Sequence, residues 1–359
     1  MWKWNRGFIA ALGAVLISAC STNVSGPIQV RLIQPAAGHC RYNIGPATIQ
    51  TLTSLSDMQG LMGRVGYFDS SETFVKADLQ FGQFGGGTYT PMDYGSLYAA
   101  SLYYYLESGY LLFKNLPSNA VDMAQEVPSL SSSQIQMETY DLDKDKELVK
   151  DNAAYLYDEG QNIFISYPAG DFVNGLPFGM NRGIMIHEYT HFVMRHLVRL
   201  KLGTQTKQIP YDTLGALDEG MADYFGFLST IIPGTPEGEK GDPGYFLCTE
   251  DSLDRDLSVA KTVNVGRTSE CRNDLADYDC LRIPGSKYFS VHSLGSVFAY
   301  ANWAQGERVG HFQHAATLVN LMRKIGNGSC GSADNLTFQS IVNCHTGGNY
   351  SGTNLGTLQ

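Results

Sequence analysis

The sequence predicts an α+β fold of two lobes, a β-rich N-terminal lobe with one helix over 46–180 and a helical C-terminal lobe over 181–359. Three observations carry this. Between Pro46 and Tyr89, alternation as in "FVKADLQFG" and the clustered glycines of "FGGG" read as short strands and turns. Within 91–117, Tyr98, Leu102, Tyr105 and Leu106 return at steps of three and four, the period of one helix. From Met180 to Lys201 the chain is apolar on nearly every face, as a helix buried between lobes would be.

Taken in order, the first nineteen residues set Lys3 and Arg6 ahead of an uncharged run from Gly7 to Ala19, too short to span a bilayer as a helix. That is the pattern of an export signal, and its end, "ISAC", resembles the lipobox of bacterial lipoproteins. The resemblance implies cleavage before Cys20 and a lipid on its sulfur. With Ser21 rather than Asp next in line, it further implies sorting to the outer membrane. Residues 20–45, polar and punctuated by Gly and Pro, are expected to form a lipidated tether.

Of the seven cysteines, Cys40, Cys248, Cys271, Cys280, Cys330 and Cys344 remain for disulfides, an even number in an exported chain. No C-x-x-C spacing favours a cysteine-bound metal. Fifteen pairings are open, and sequence proximity favours Cys330 with Cys344 and Cys271 with Cys280, leaving Cys40 with Cys248. Without Lys3 and Arg6, the 25 Lys and Arg fall to 23 against 35 Asp and Glu, a formal charge of −12. Such a surface repels phosphate, which argues against a nucleic-acid partner and leaves membrane attachment to the lipid.

The helix within 91–117 has Asp93 as its expected N-cap and Pro117 beyond its end, and its tyrosines are expected to pack in the core. In "DLDKDKE", Asp141, Asp143 and Asp145 alternate as in calcium loops, but Lys146 stands where such a loop needs glycine. A solvated charge run is therefore the reading, and calcium is unsupported. "NAAYLYDEGQNIFISY" reads as a hairpin turning at "DEGQ". No repeat of 20 to 50 residues is visible.

The apolar run holds "GIMIHEYTHFVMRH", residues 183–196. On a helix, His187 and His191 share one face, one turn apart, and their imidazoles can grip a single ion. Glu188 is rotated by about 100° from His187, close to the ion without binding it. This is the H-E-x-x-H arrangement, in which neutral imidazoles hold zinc, the ion acidifies a water, and the carboxylate takes its proton as that water attacks a carbonyl. Twenty-seven residues separate His191 from Glu219 in "GALDEGMADYFG", where Glu219 and Asp223 are four apart on a second helical face. Glu219 can be the third ligand, and Asp223 can accept the other ring N–H of a ligand histidine.

"HEYTH" followed by "GALDEGMADYFG" resembles the gluzincin metallopeptidases of the thermolysin and fungalysin kind. The resemblance implies a thermolysin-like fold with one zinc ion in the cleft, held by His187, His191 and Glu219, with Glu188 as general base and Asp223 supporting a ligand. "NAAY" is similar to the family's edge strand, which implies that Asn152 and Ala153 hold an extended peptide. "VHSLGSVFA", residues 291–299, is similar to a fungalysin segment and implies that His292 stabilises the oxyanion. Tyr211 is a partner donor by the same resemblance, one residue out of step with thermolysin. Ile184, one turn before His187, implies an apolar S1′ pocket, and Arg267 and Arg282 are candidates for the arginine that binds the substrate carbonyl.

The expectation is thus a monomeric, membrane-anchored zinc metalloendopeptidase of the bacterial envelope acting on peptides or proteins. Three alternatives stand beside it. An aminopeptidase of the same clan needs an acidic anchor, and "GMNRG" at 179–183 lacks the glutamate. An inactive peptide-binding lipoprotein would have no use for a complete catalytic set. A structural envelope lipoprotein would have no use for the zinc constellation either. Of the other histidines, His196 falls off the ligand face, His311 and His314 are expected to face solvent, and His39 and His345 lie in loop-like sequence.

Overall fold

A computed structural model describes residues 23–231 and 291–355, together with Leu257. It leaves out 25, 37–41, 70, 72, 84–86, 118–120, 122–124, 128–133, 138–140, 143–147, 150–151, 159, 168–176, 208–210, 333–334, 346 and 354. The signal segment, Cys20, Cys40, Asp143, Asp145, Cys248, Arg267, Cys271, Cys280 and Arg282 lie outside the described residues.

The N-terminal region carries the sheets and the C-terminal region the helices, a mixed α+β arrangement. Strands β1 (Ile28–Pro35), β2 (Tyr42–Ile49), β7 (Phe81–Gln83) and β8 (Thr88–Pro91) form a four-stranded sheet in the order β2-β1-β8-β7. A five-stranded sheet has the order β12-β13-β9-β5-β6, from β5 (Arg64–Phe68), β6 (Phe74–Lys76), β9 (Gln134–Met137), β12 (Ala153–Asp158) and β13 (Gln161–Ser166). Two small pairs join β3 (Leu52–Ser54) to β4 (Gln59–Gly60) and β10 (Asp141–Leu142) to β11 (Leu148–Val149).

The segment expected to be a tether, 20–45, is not one throughout: it contains β1 and the start of β2. Strand β1 is interior, antiparallel to β2 and parallel to β8, and its alternate residues Val30 and Leu32 are fully buried. Burying both apolar side chains outweighs the flanking Gly and Pro that suggested a loop.

Helix α1 (Tyr94–Lys114) starts at Asp93, whose side chain accepts from Ser96 N, and buries Tyr98, Leu102, Tyr105 and Leu106 as the period requires. The hairpin β12–β13 pairs Tyr155 with Phe164 and turns through Gly160, whose φ of 88° suits a residue without Cβ. Helix α2 (Arg182–Met194) is capped by Asn181, which accepts from Ile184 N at 3.2 Å. It runs on through a π-helical turn, Arg195–Arg199, into α3 (Leu200–Leu202). Then come α4 (Tyr211–Leu228), α5 (Val291–Val309), α6 (His311–Gly326) and α7 (Phe338–Cys344). The Cys330–Cys344 disulfide ties α7 to the end of α6.

One hydrophobic cluster runs through both regions. Phe113 of α1 lies 4.4 Å, centroid to centroid, from Phe225 of α4, and Phe164 of β13 stacks on Tyr189 of α2. Among the described residues no helix is long and apolar enough to cross a membrane.

The expectation that His314 faces solvent is corrected. His314 is wholly buried and pairs with Asn302 Oδ1 at 3.0 Å; His345, also buried, pairs with the Tyr350 hydroxyl at 2.6 Å. His314 shares its face of α6 with Leu318, Leu321 and Ile325, so the helix turns it inward.

Candidate metal centre

Helix α2 stacks His187 over His191, and their Nε2 atoms face one another at 3.1 Å. Each ring is held from behind by a carboxylate of α4. His187 Nδ1 lies 3.1 Å from Asp223 Oδ1, and His191 Nδ1 lies 2.7 Å from Asp218 Oδ1. An ionised carboxylate only accepts, so each ring in its neutral form carries its hydrogen on Nδ1 and turns an Nε2 lone pair into the cluster. Glu219 adds a third donor, with Oε2 3.4 Å from His187 Nε2 and Oε1 3.8 Å from His191 Nε2. One ligand atom from each of His187, His191 and Glu219 can be chosen so that all three lie within 4.8 Å of one another. Three electron-pair donors converging in a largely buried place need a positive charge among them. A proton can serve, and so can a cation. The donor set, two imidazoles and a carboxylate, is one that suits zinc and leaves a coordination position for water.

The electrostatics agree with that need. Burial works against a charged His187 ring, yet contacts with Asp223 and Glu219 outweigh it and hold the ring's pKa up at about 10. His191 is likewise raised, burial being outweighed by Asp218. Glu219 is held well below the ordinary carboxylate value: burial opposes its charge, and His187 and His292 more than compensate. Without a metal, then, the ligands retain protons that a metal would displace.

Close backbone packing sets these positions. A Cβ on Gly220 would lie 2.6 Å from Gly295 O, and one on Gly295 would lie 2.8 Å from Gly220 N. Only a pair of glycines lets α4 and α5 cross this closely. The crossing brings His292, second residue of α5, to Glu219: its Nδ1 is 3.0 Å from Glu219 Oε2.

Glu188, one residue along α2 from His187, lines the same cavity as that ring. Its Oε2 accepts from the backbone N–H of Tyr155, on β12, at 2.7 Å. Burial raises its pKa, and the nearby His187 and His191 rings partly offset this. A cavity of about 500 Å³ opens over the cluster, lined also by Asn152, Ala153, Ile184, Glu188 and His292. Of the residues singled out in the sequence, the structure brings His187, Glu188, His191, Glu219, His292, Asn152 and Ala153 to this one cavity, with Asp223 behind His187. Tyr211 opens α4, and its side chain lies outside the described residues.

Two contributors carry no role in the sequence reading. Asp218 holds His191, and its Oδ2 accepts from Arg199 Nε at 3.0 Å and Nη2 at 2.7 Å. Asp218 was visible as the residue before Glu219; Arg199 had no signal beyond its place twelve residues after His187. The chain was compared with known families and with curated proteins. No family model matches it, and no curated protein does.

Proposed function

We propose that the protein is a zinc-dependent endopeptidase of the gluzincin kind, with a thermolysin-like arrangement of its lobes. The observation that carries this reading is the convergence of His187 Nε2, His191 Nε2 and the Glu219 carboxylate, each histidine braced by its own aspartate, beside a buried glutamate that binds nothing in the cluster. A metal store would not need Glu188 there.

His187, His191 and Glu219 would hold the ion. When bound, zinc polarises a carbonyl and makes water a stronger acid and nucleophile. The chain supplies the rest. Tyr155 N–H fixes Glu188 Oε2, leaving Oε1 to accept a proton from water as the water oxygen bonds to the scissile carbon. Glu188 then passes that proton to the amide nitrogen as the C–N bond breaks, giving an amine and a carboxylic acid, whose proton the amine takes up on release. Burial raises the Glu188 pKa above the ordinary carboxylate value, the direction that favours taking up a proton. Strand β12 lies at the edge of its sheet, so an extended peptide can pair with it beside Ala153. His292 stands at the cavity wall as a donor for the developing oxyanion. Lipid attachment at Cys20, and with it a place in the bacterial outer membrane, belongs to the same proposal.

The test is Glu188→Gln. The mature protein and this variant are incubated with a mixed peptide library, with and without a zinc chelator, and cut sites are read by mass spectrometry. Wild type should cut, chelator should stop it, and Glu188→Gln should retain one zinc per chain while cleavage falls below detection. Cleavage by Glu188→Gln, or its loss of zinc, contradicts the assigned role.

A further inference from the structure

A second cavity, of about 360 Å³, adjoins the first and shares Tyr155, His191 and Glu219 with it. It continues past the metal group along β12, away from Ile184, between Leu156 and Tyr157 of the strand and Arg195 and Arg199 of the π-helical turn. The step of four that stacks His187 on His191 continues to Arg195 and Arg199, so these guanidinium groups extend the ligand face of α2.

The two arginines are in different states. Arg199 is paired with Asp218. Arg195 stacks on the Tyr157 ring, its Cζ 3.2 Å from the centroid, and its buried Nε has no hydrogen-bond partner among the described residues. The other charges on the cavity are spoken for, Asp218 by Arg199 and His191, Glu219 by the metal cluster. A planar guanidinium with an unpartnered Nε, held over an aromatic ring in a concave wall, has the geometry to receive a carboxylate. Tyr157 and Leu156, both well exposed, offer the aliphatic stem of such a ligand something to pack on.

Strand geometry says where on a peptide that carboxylate would lie. Tyr155 turns its N–H toward Glu188, so alternation turns the backbone groups of Ala153 and Tyr157 to the same open edge. A peptide added antiparallel to β12 runs from the Tyr157 end toward the Ala153 end. Its residues beside Tyr157 precede the scissile bond, about 7 Å from the point opposite Tyr155.

We infer that the cavity between Tyr157 and Arg195 is a specificity pocket for an acidic side chain one or two residues N-terminal to the scissile bond. This rests on the peptidase reading for its direction, not for the ligand chemistry. In a chain of net charge −10, a local cation that selects acidic peptides works against the overall field, so it should discriminate by contact rather than by long-range attraction.

The test measures binding apart from turnover. Zinc-supplemented Glu188→Gln protein is titrated against two fluorescent, acetylated octapeptides with one leucine and, two residues before it, either glutamate or glutamine; a second pair places the same change directly before the leucine. In at least one pair the glutamate peptide should bind about tenfold tighter or more, and adding Arg195→Gln should erase that difference. Arg195→Lys, which keeps the charge, should retain part of it, and serves also if Arg195→Gln folds poorly. Equal binding within both pairs overturns the inference, as does a preference that survives Arg195→Gln. Should wild type fail to cut any peptide while the preference and its loss are both seen, the hydrolytic reading falls and the pocket stands.

Discussion

Asp218 and Asp223 show how much a single oxygen decides. Each fixes which nitrogen of a histidine carries the hydrogen, and so which one is left to bind a cation. Asp218→Ala should therefore lower zinc affinity by roughly tenfold to a hundredfold, the usual cost of losing such a partner; competition against a chromophoric chelator measures it, and unchanged affinity would show that His191 needs no brace. His292→Ala should lower kcat by about a hundredfold with KM little changed, as for one oxyanion donor. Zinc content is the second readout: if it falls too, the 3.0 Å contact with Glu219 is the residue's main task. Of this site, His187, Glu188, His191 and Glu219 were legible because a four-residue step on a helix fixes a face wherever that helix lies. Arg199 and the task of Asp218 were not, because they depend on how α2 and α4 lie against each other. His314 was grouped with His311 as facing solvent, although the apolar residues four, seven and eleven places on already marked its face as inward.

At the scale of elements, the decisive contact is the crossing of α4 and α5 at Gly220 and Gly295. A side chain on Gly295 would meet backbone atoms, Gly220 N at 2.8 Å and Ala216 O at 2.9 Å, neither of which can swing aside. Gly295→Ala should cost about 1–3 kcal/mol of stability, as overpacking does. Because α5 also carries His292, activity per folded molecule should fall as well; chemical denaturation and an assay on the folded fraction separate the two effects. A substitution that lowers stability alone would place His292 beyond the influence of this crossing. Helix α1, its Asp93 cap, the turn of β12–β13 and the body of α2 were all readable from local pattern. Strand β1 was not, although Val30 and Leu32 alternate correctly, because Pro27 and Pro35 bracket the strand and its partner β8 lies about sixty residues on. Local pattern names a strand; long-range pairing makes it central.

For the whole molecule, the buried histidines of the C-terminal helices set a limit on the acid side. Burial lowers His314 to about 3, with His345 and His311 adding to the effect, and lowers His345 to about 4, helped by Lys324. Both fall from an unfolded value near 6.5. Between these values the unfolded chain binds protons that the folded one refuses, so stability declines as pH falls below 6.5 and stops declining on their account near 3 to 4. Each histidine contributes a slope of about 1.4 kcal/mol per pH unit in that window. Melting temperatures at pH 7, 6, 5 and 4 should drop stepwise, and His314→Gln should flatten the fall; a level profile would mean that these rings take up protons without unfolding.

The contacts of Asn23 and Val24 have their own consequence. Asn23 already bridges to Ser54, and Val24 N donates to Thr53 O at 3.1 Å. If Cys20 carries the lipid proposed above, Ser21 and Thr22 alone separate it in sequence from that contact, a span of about 10 Å at most. Under that proposal the body would be held too close to the bilayer to sweep out a volume of its surroundings. Its cleft would meet the chains that come to the bilayer surface, and position relative to the membrane would select substrates before any pocket does.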